Sequence, residues 1–105
     1  MATAPAEPLA QPAPAELSLE AVLHALSDPV RLQIVRTLAD EHGARPCGTF
    51  GLPVTKSTAS HHFKVLREAG VIAQEARGRE RMITLRRADL DARFPGLLGS
   101  VLAAR

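Results

Sequence analysis

Residues 57–69, Ser57-Thr58-Ala59-Ser60-His61-His62-Phe63-Lys64-Val65-Leu66-Arg67-Glu68-Ala69, contain neither glycine nor proline and stop at Gly70. Ser57 offers a capping oxygen to the first free N–H groups, and Gly70 tolerates the left-handed turn that ends many helices, so this run predicts one well-bounded helix. Two β-prone runs follow at once, 71–77 and 81–87, with Gly78-Arg79-Glu80 as a tight turn between them. Short strands flanking a glycine-containing turn describe a β-hairpin. Every other element of the chain has to accommodate this helix-then-hairpin unit.

The rest of the chain supplies mostly helices. Four of the eight prolines (Pro5, Pro8, Pro12, Pro14) fall among Ala and Gln in residues 1–15. Such a composition buries too little apolar surface to offset its ordering entropy, so residues 1–16 are expected to form a disordered Pro/Ala-rich tail and 17–105 one domain. A helix should begin at the capping residue Ser18, with Leu19, Val22, Leu23 and Leu26 along one face. Ser27-Asp28-Pro29 opens a second helix over Pro29–Glu41, since a proline in the first turn has no N–H to leave unpaired. Between Gly43 and Pro53 the repeated Gly and Pro predict turns, with Cys47 and Phe50 as inward anchors. From Asp89 onward Leu90, Phe94, Leu97, Leu98, Val101 and Leu102 form a helical apolar stripe, with Pro95 as a kink or a restart.

Size and composition exclude several classes. At 105 residues one domain is expected, not a two-lobed enzyme with a cleft between lobes. Aromatics are 3% of the chain with no Trp or Tyr, so the core must be aliphatic. No run approaches the roughly 18–20 apolar residues of a membrane span, and the start lacks a signal-type pattern, so a soluble cytoplasmic protein is expected. A lone cysteine, Cys47, fits a reducing compartment and can form neither an internal disulfide nor a cysteine-rich zinc site. No nucleophile-and-base pair, carboxylate pair or phosphate-cradling glycine loop has a recognised spacing, so no enzyme and no cofactor is expected.

In order, the chain reads helix, helix, turn segment, helix, β-hairpin, helix. That is the layout of a winged helix-turn-helix domain, mainly α with a β-hairpin wing. At about 100° per residue, Ala59, His62, Phe63, Leu66 and Ala69 share one face of the helix 57–69, and Ser57, Ser60, His61, Lys64 and Glu68 share the other. The first face packs; the second, with Lys56 beside it, presents hydroxyls, an imidazole and cations suited to base edges and phosphates in a major groove. Between Lys56 and Arg87 lie eight bases and three acids, whereas residues 1–20 hold three acids and no Lys or Arg. A basic excess so local is the footprint of a polyanion binder, although a solvated basic face has the same composition. In the hairpin, alternation puts Arg79 at the tip with Arg77 and Arg81 on its shoulders, within reach of a DNA backbone or minor groove. A charged tip also protects a strand edge from aggregation, which is the bland reading of the same arginines.

The neighbouring His61 and His62 point about 100° apart, so one helix cannot aim both at a single ion, and His62 belongs to the packing face. His24, His42 and Cys47 have no metal-ligand spacing. No metal site is expected within one chain.

The segments Ser27-Asp28-Pro29-Val30-Arg31-Leu32-Gln33-Ile34-Val35 and Ser57 to Ile72 resemble the second core helix and the recognition helix with its exit into the wing of the ArsR family of bacterial regulators. The resemblance spans residues 18–87. It implies a homodimeric DNA-binding repressor, less often an activator, in which Lys56, Ser57, Thr58, Ser60 and His61 read DNA, Lys64 contacts its backbone and Arg79 acts from the wing. Two features depart from the family pattern: where its metal sensors often carry a Cys-x-Cys near the start of the third helix or an Asp/His set on the last, this chain has only Cys47 and, on the last helix, Asp89 and Asp91 without a histidine; and Cys47 to Pro53 is rich in Gly and Pro where the first helix of the motif usually lies. The apolar stripes of the first and last helices (Leu19, Val22, Leu23, Leu90, Phe94, Leu97, Leu98, Val101, Leu102) exceed what a lone terminal helix buries, so dimerisation through them is expected. The expected partners are therefore double-stranded DNA and a second copy of the chain, with no membrane; an effector, whether small molecule, metal or protein, is left unassigned. Two alternatives stand beside this reading. One is a metal- or redox-responsive regulator of the same family with ligands shared between subunits, and the other is a winged-helix module that binds protein.

Overall fold

The computed structural model describes residues 7–104. Helix α1 spans Leu19–Leu26 and α2 spans Pro29–Glu41. Each begins where a polar side chain satisfies free N–H groups. Ser18 Oγ accepts from the Ala21 N–H at 3.2 Å, and Asp28 Oδ2 accepts from the Val30 and Arg31 N–H groups at 2.9 and 3.1 Å. Helix α3 spans Lys56–Glu68, and its cap is Thr55, not the expected Ser57. Thr55 Oγ1 accepts from the Thr58 N–H at 3.3 Å, and its carbonyl takes the Ala59 N–H at 2.9 Å. With several hydroxyls in succession, the earliest cap wins because it lets Lys56 join the helix.

Gly70 takes φ 81° after α3, and an added Cβ there would run into the Leu17 side chain. The chain then enters β3, Ile72–Arg77, and returns as β4, Glu80–Leu85, in register from Ile72↔Leu85 to Arg77↔Glu80. Two two-residue strands flank this hairpin, β1 (Glu7–Pro8) on β3 and β2 (Arg45–Pro46) on β4, giving an antiparallel sheet of order β1-β3-β4-β2. Where a first helix of the helix-turn-helix would lie, Cys47–Thr49 makes only a 3-10 turn, as the Gly and Pro content predicts. Phe50 is buried against Phe63, ring centroids 5.4 Å apart, and Cys47 is half-buried.

The N-terminal segment departs from expectation. Residues 1–6 of the expected tail lie outside the described residues, but from Glu7 onward the chain is laid along the outer edge of β3. The Leu9 N–H donates to the Gln74 carbonyl at 3.0 Å, the Gln74 N–H to Gln11 Oε1 at 3.4 Å, and Arg86 Nη1 to the Pro12 carbonyl at 2.7 Å. A 3-10 turn at Pro14–Glu16 then delivers Leu17 into the core. Composition judged this segment by the apolar surface it could bury. An unpaired strand edge instead offers it backbone partners, and proline is tolerated on an edge.

The core is aliphatic apart from Phe50 and Phe63: Ile34, Val35 and Leu38 of α2 meet Leu66 of α3, Ile72 and Ile83 of the sheet, and Val22 of α1. The final stripe is broken by Pro95 into α4, Arg87–Arg93, and α5, Leu97–Ala103, with Gly96 at φ 82° between them. This restart folds the stripe back onto α1 and corrects part of the dimerisation set. Val22, Leu90 and Leu98 are 1%, 2% and 2% exposed and belong to the protomer's own core. Leu19 and Leu23 remain exposed, and Phe94, Leu97, Val101 and Leu102 are half-buried.

Candidate nucleic-acid interface

Helix α3 lies against α1, α2 and β3 and divides along its length as its periodicity requires. His62, Phe63, Leu66 and Ala69 are buried and Ala59 is half-buried, while Lys56, Ser57, Thr58, Ser60, His61, Lys64 and Glu68 are exposed. Arg77, Arg79 and Arg81 are exposed on the hairpin beside them. Gly78 accepts φ 64° at the first turn position and sends Arg79 to the tip. All nine residues assigned to DNA therefore stand at the surface on two neighbouring elements.

Their engagement within the protomer differs. Among the described residues Lys56, Ser60, Lys64, Arg79 and Arg81 have no hydrogen-bonding or ionic partner in their side chains, so four cations and one hydroxyl are free for a ligand. Thr58 is tied into the cap, its Oγ1 accepting from Thr55 Oγ1 at 3.0 Å, and Ser57 Oγ lies 3.4 Å from the same hydroxyl. Arg77 makes a 3.5 Å contact with Glu75 that is largely exposed on both sides, a pair worth little in water.

The buried side of α3 is anchored by polar groups that sequence reasoning did not single out. Arg31 is only 7% exposed, and its guanidinium donates through Nε to the Ala25 carbonyl at 2.7 Å and through Nη2 to the His24 carbonyl at 3.0 Å. Its Nη1 lies 3.2 Å from His62 Nδ1. A guanidinium only donates, so Nδ1 accepts here and Nε2 carries the imidazole proton. One side chain thus meets two of the last carbonyls of α1 and ties them to His62 of α3. Asp28 Oδ2 sits 3.8 Å from the same Nδ1, and the Arg31 backbone N–H, ahead of smaller contributions, holds the Asp28 carboxyl below its usual range. At the other end of α3, Arg67 Nη1 donates to Oε1 of the buried Gln74 at 2.6 Å and ties the helix to the hairpin.

Both anchors had a signal in the sequence. Arg31 stands three, four and seven residues before Ile34, Val35 and Leu38, so it shares the buried face of α2. Gln74 is two residues from Ile72 and points to the same side of the sheet. Arg45 is a third such residue. It pairs with Glu41, donates to Thr49 Oγ1 at 3.0 Å and lies over the Phe50 ring, bracing the turn before α3. Among the described residues no three His, Cys, Asp or Glu side chains gather in a way that could hold a metal ion, and none of the helices is long and apolar enough to cross a membrane.

Comparison with known proteins agrees with this geometry. Residues 26–75 match the family described as a helix-turn-helix domain. The chain is 40% identical over 79 residues to an uncharacterized HTH-type transcriptional regulator, YceK, of Bacillus subtilis (strain 168), an alignment covering 73% of this chain and 79% of that protein. The fold is similar to the crystal structure of the transcriptional repressor BigR from Xylella fastidiosa, with a TM-score of 0.61 and 26% identity over 79% of this chain and 81% of that one.

Proposed function

The chain belongs to the winged helix-turn-helix transcriptional regulators, and on that premise we propose that it is a homodimeric repressor that binds a near-palindromic operator through α3 and its hairpin. The observation that carries this reading is the division of α3: one face locked into the protomer by His62 and Arg31, the other free at Lys56, Ser60, His61 and Lys64. A recognition helix has to be rigid where it packs and unengaged where it reads, because side chains already paired must break those bonds to bind bases.

Ser60 and His61, with Lys56, Ser57 and Thr58, are assigned to base edges, and Lys64 to a phosphate. Arg79 contacts the backbone or minor groove from the wing tip, flanked by Arg77 and Arg81. The second protomer docks on the exposed Leu19 and Leu23 of α1 together with the half-covered Phe94, Leu97, Val101 and Leu102. A two-fold axis would then set the two α3 helices into successive major grooves about 34 Å apart. Repression follows from occlusion of the promoter, and an effector that shifts the dimer geometry by a coupling of about 1–3 kcal/mol suffices for a switch. With a lone cysteine per protomer and no gathered ligands among the described residues, DNA affinity is expected to be the same with chelator as with added Zn²⁺ or Ni²⁺.

The test is fluorescence anisotropy with the DNA upstream of the protein's own gene and a scrambled duplex at two salt concentrations. Preference for the native duplex by about 10³ or more, with a steep salt dependence, is expected. Equal weak binding to both, followed by failure to enrich any sequence from random DNA, would refute it.

A further inference from the structure

Lys56, Ser60, Phe63 and Arg67 recur every three or four residues along α3 and form one wall of a cleft of about 680 Å³. The opposite wall comes from the hairpin and carries Arg79 and Arg81, with Glu80 as its single acid and Gln74 at its base. The cleft continues into a hollow of about 490 Å³ that shares Lys56, Ser60 and Phe63 with it and adds Phe50, Leu52 and Val54. One end is thus rich in cations and the other apolar. Spaces of roughly 300–1,000 Å³ lined mainly by apolar groups, with a few converging polar ones, are the usual form of small-molecule sites.

Arg67 is the distinctive polar group. Gln74, 3% exposed, accepts from its Nη1 and fixes the plane of the guanidinium, while its buried Nε has no acceptor among the described residues. A guanidinium held in plane on the cleft wall, with Arg81 on the same cleft, matches a planar carboxylate better than it matches a spherical anion, and Leu52, Val54 and the edges of Phe50 and Phe63 line the hollow a short way along the same space.

We propose that the cleft between α3 and the hairpin is an effector site for a small aromatic carboxylate, the carboxylate facing Arg67 and Arg81 and the ring facing the hollow. An occupied cleft engages Lys56, Ser60, Arg79 and Arg81, so ligand and DNA exclude each other, and by linkage each lowers the other's affinity. The exclusion rests on the DNA-binding reading above; the binding of the carboxylate does not.

The experiment is a titration of the full chain with sodium benzoate at constant ionic strength, followed by calorimetry and by backbone amide chemical shifts, with inorganic phosphate and benzyl alcohol as comparators. Saturable benzoate binding is expected, with shifts centred on Ser60, Phe63, Arg67 and Arg81, and about tenfold weaker binding in Arg67→Gln, a loss fitting one charge-assisted contact. Phosphate and benzyl alcohol should each bind at least about tenfold more weakly, because each satisfies only one end of the cleft. Absence of saturation, shifts confined to other elements, or phosphate binding as tightly as benzoate would overturn the proposal. The shift map on the unmodified chain decides the matter even if Arg67→Gln does not fold. In a second arm, benzoate should release a bound operator duplex where phosphate does not; benzoate bound with the duplex retained would overturn the exclusion. A chain that bound benzoate but no DNA at all would refute the regulatory reading and leave the cleft site standing.

Discussion

Replacing Arg31 by Met tests how α3 is held. The substitution keeps a long unbranched side chain but removes the donors that meet the Ala25 carbonyl at 2.7 Å, the His24 carbonyl at 3.0 Å and His62 Nδ1 at 3.2 Å. The Ala25 carbonyl and His62 are buried, and each acceptor left unsatisfied costs about 1–3 kcal/mol, whereas the His24 carbonyl keeps the Ser27 N–H and hydroxyl as donors. Relief from burying a guanidinium offsets part of this, leaving a net loss of about 1–5 kcal/mol. That is a large fraction of the roughly 5–15 kcal/mol that stabilises a domain. Stability should be measured by urea unfolding at equal protomer concentration, because a dimer's apparent stability depends on it. The sharper readout is a double-mutant cycle with His62→Phe. Once Arg31 is gone the imidazole has lost its donor, so the two losses should be non-additive by at least about 0.5 kcal/mol. A loss below about 1 kcal/mol for Arg31→Met, or an additive cycle, would refute the idea that this side chain locks α3 to α1.

Other residues give shorter tests. Lys64→Ala should weaken binding to every duplex alike and reduce the slope of log affinity against log salt by about one, whereas Ser60→Ala should change sequence preference by about 1–3 kcal/mol at one base pair; anisotropy across a set of variant duplexes separates the two. Gly70→Ala should destabilise by more than about 1 kcal/mol, since its φ of 81° strains any L side chain and Leu17 fills the space of a Cβ; thermal unfolding checks it. Asp28 has a carboxyl pKa lowered by folding, so its contribution is present above the unfolded value, near 3.8, and is lost as pH falls through the lower folded value. Asn caps helices about as well as Asp does but does not titrate, so Asp28→Asn should flatten the acid limb of a stability–pH curve while leaving the curve near neutrality little changed.

Much of this molecule was legible in its residues. Asp28 before Pro29, Gly70 after the helix and the turn at Gly78 each act through bonds to near neighbours in the chain, and each lies where local rules place it. The two-faced character of α3 is likewise a matter of periodicity alone, and it places Ser57, Ser60, His61 and Lys64 at the surface. What stayed hidden depends on partners distant in sequence. The N-terminal segment is placed by the edge of β3, more than sixty residues away, which no tally of its own composition can register. Val22, Leu90 and Leu98 read as surplus apolar surface until Pro95 turns the last helix back toward α1. Arg31 lies on the apolar stripe of α2 by position, but its acceptors stand on α1 and α3, beyond the reach of any local rule.

Hydroxyl-radical footprinting of the chain on its selected operator tests the central claim most directly. Two α3 helices related by a two-fold axis predict two protected patches on one side of the duplex, about one helical turn apart, and their joint loss in the Leu19→Glu, Leu23→Glu variant. A single protected patch that survives those substitutions would contradict the paired recognition helices.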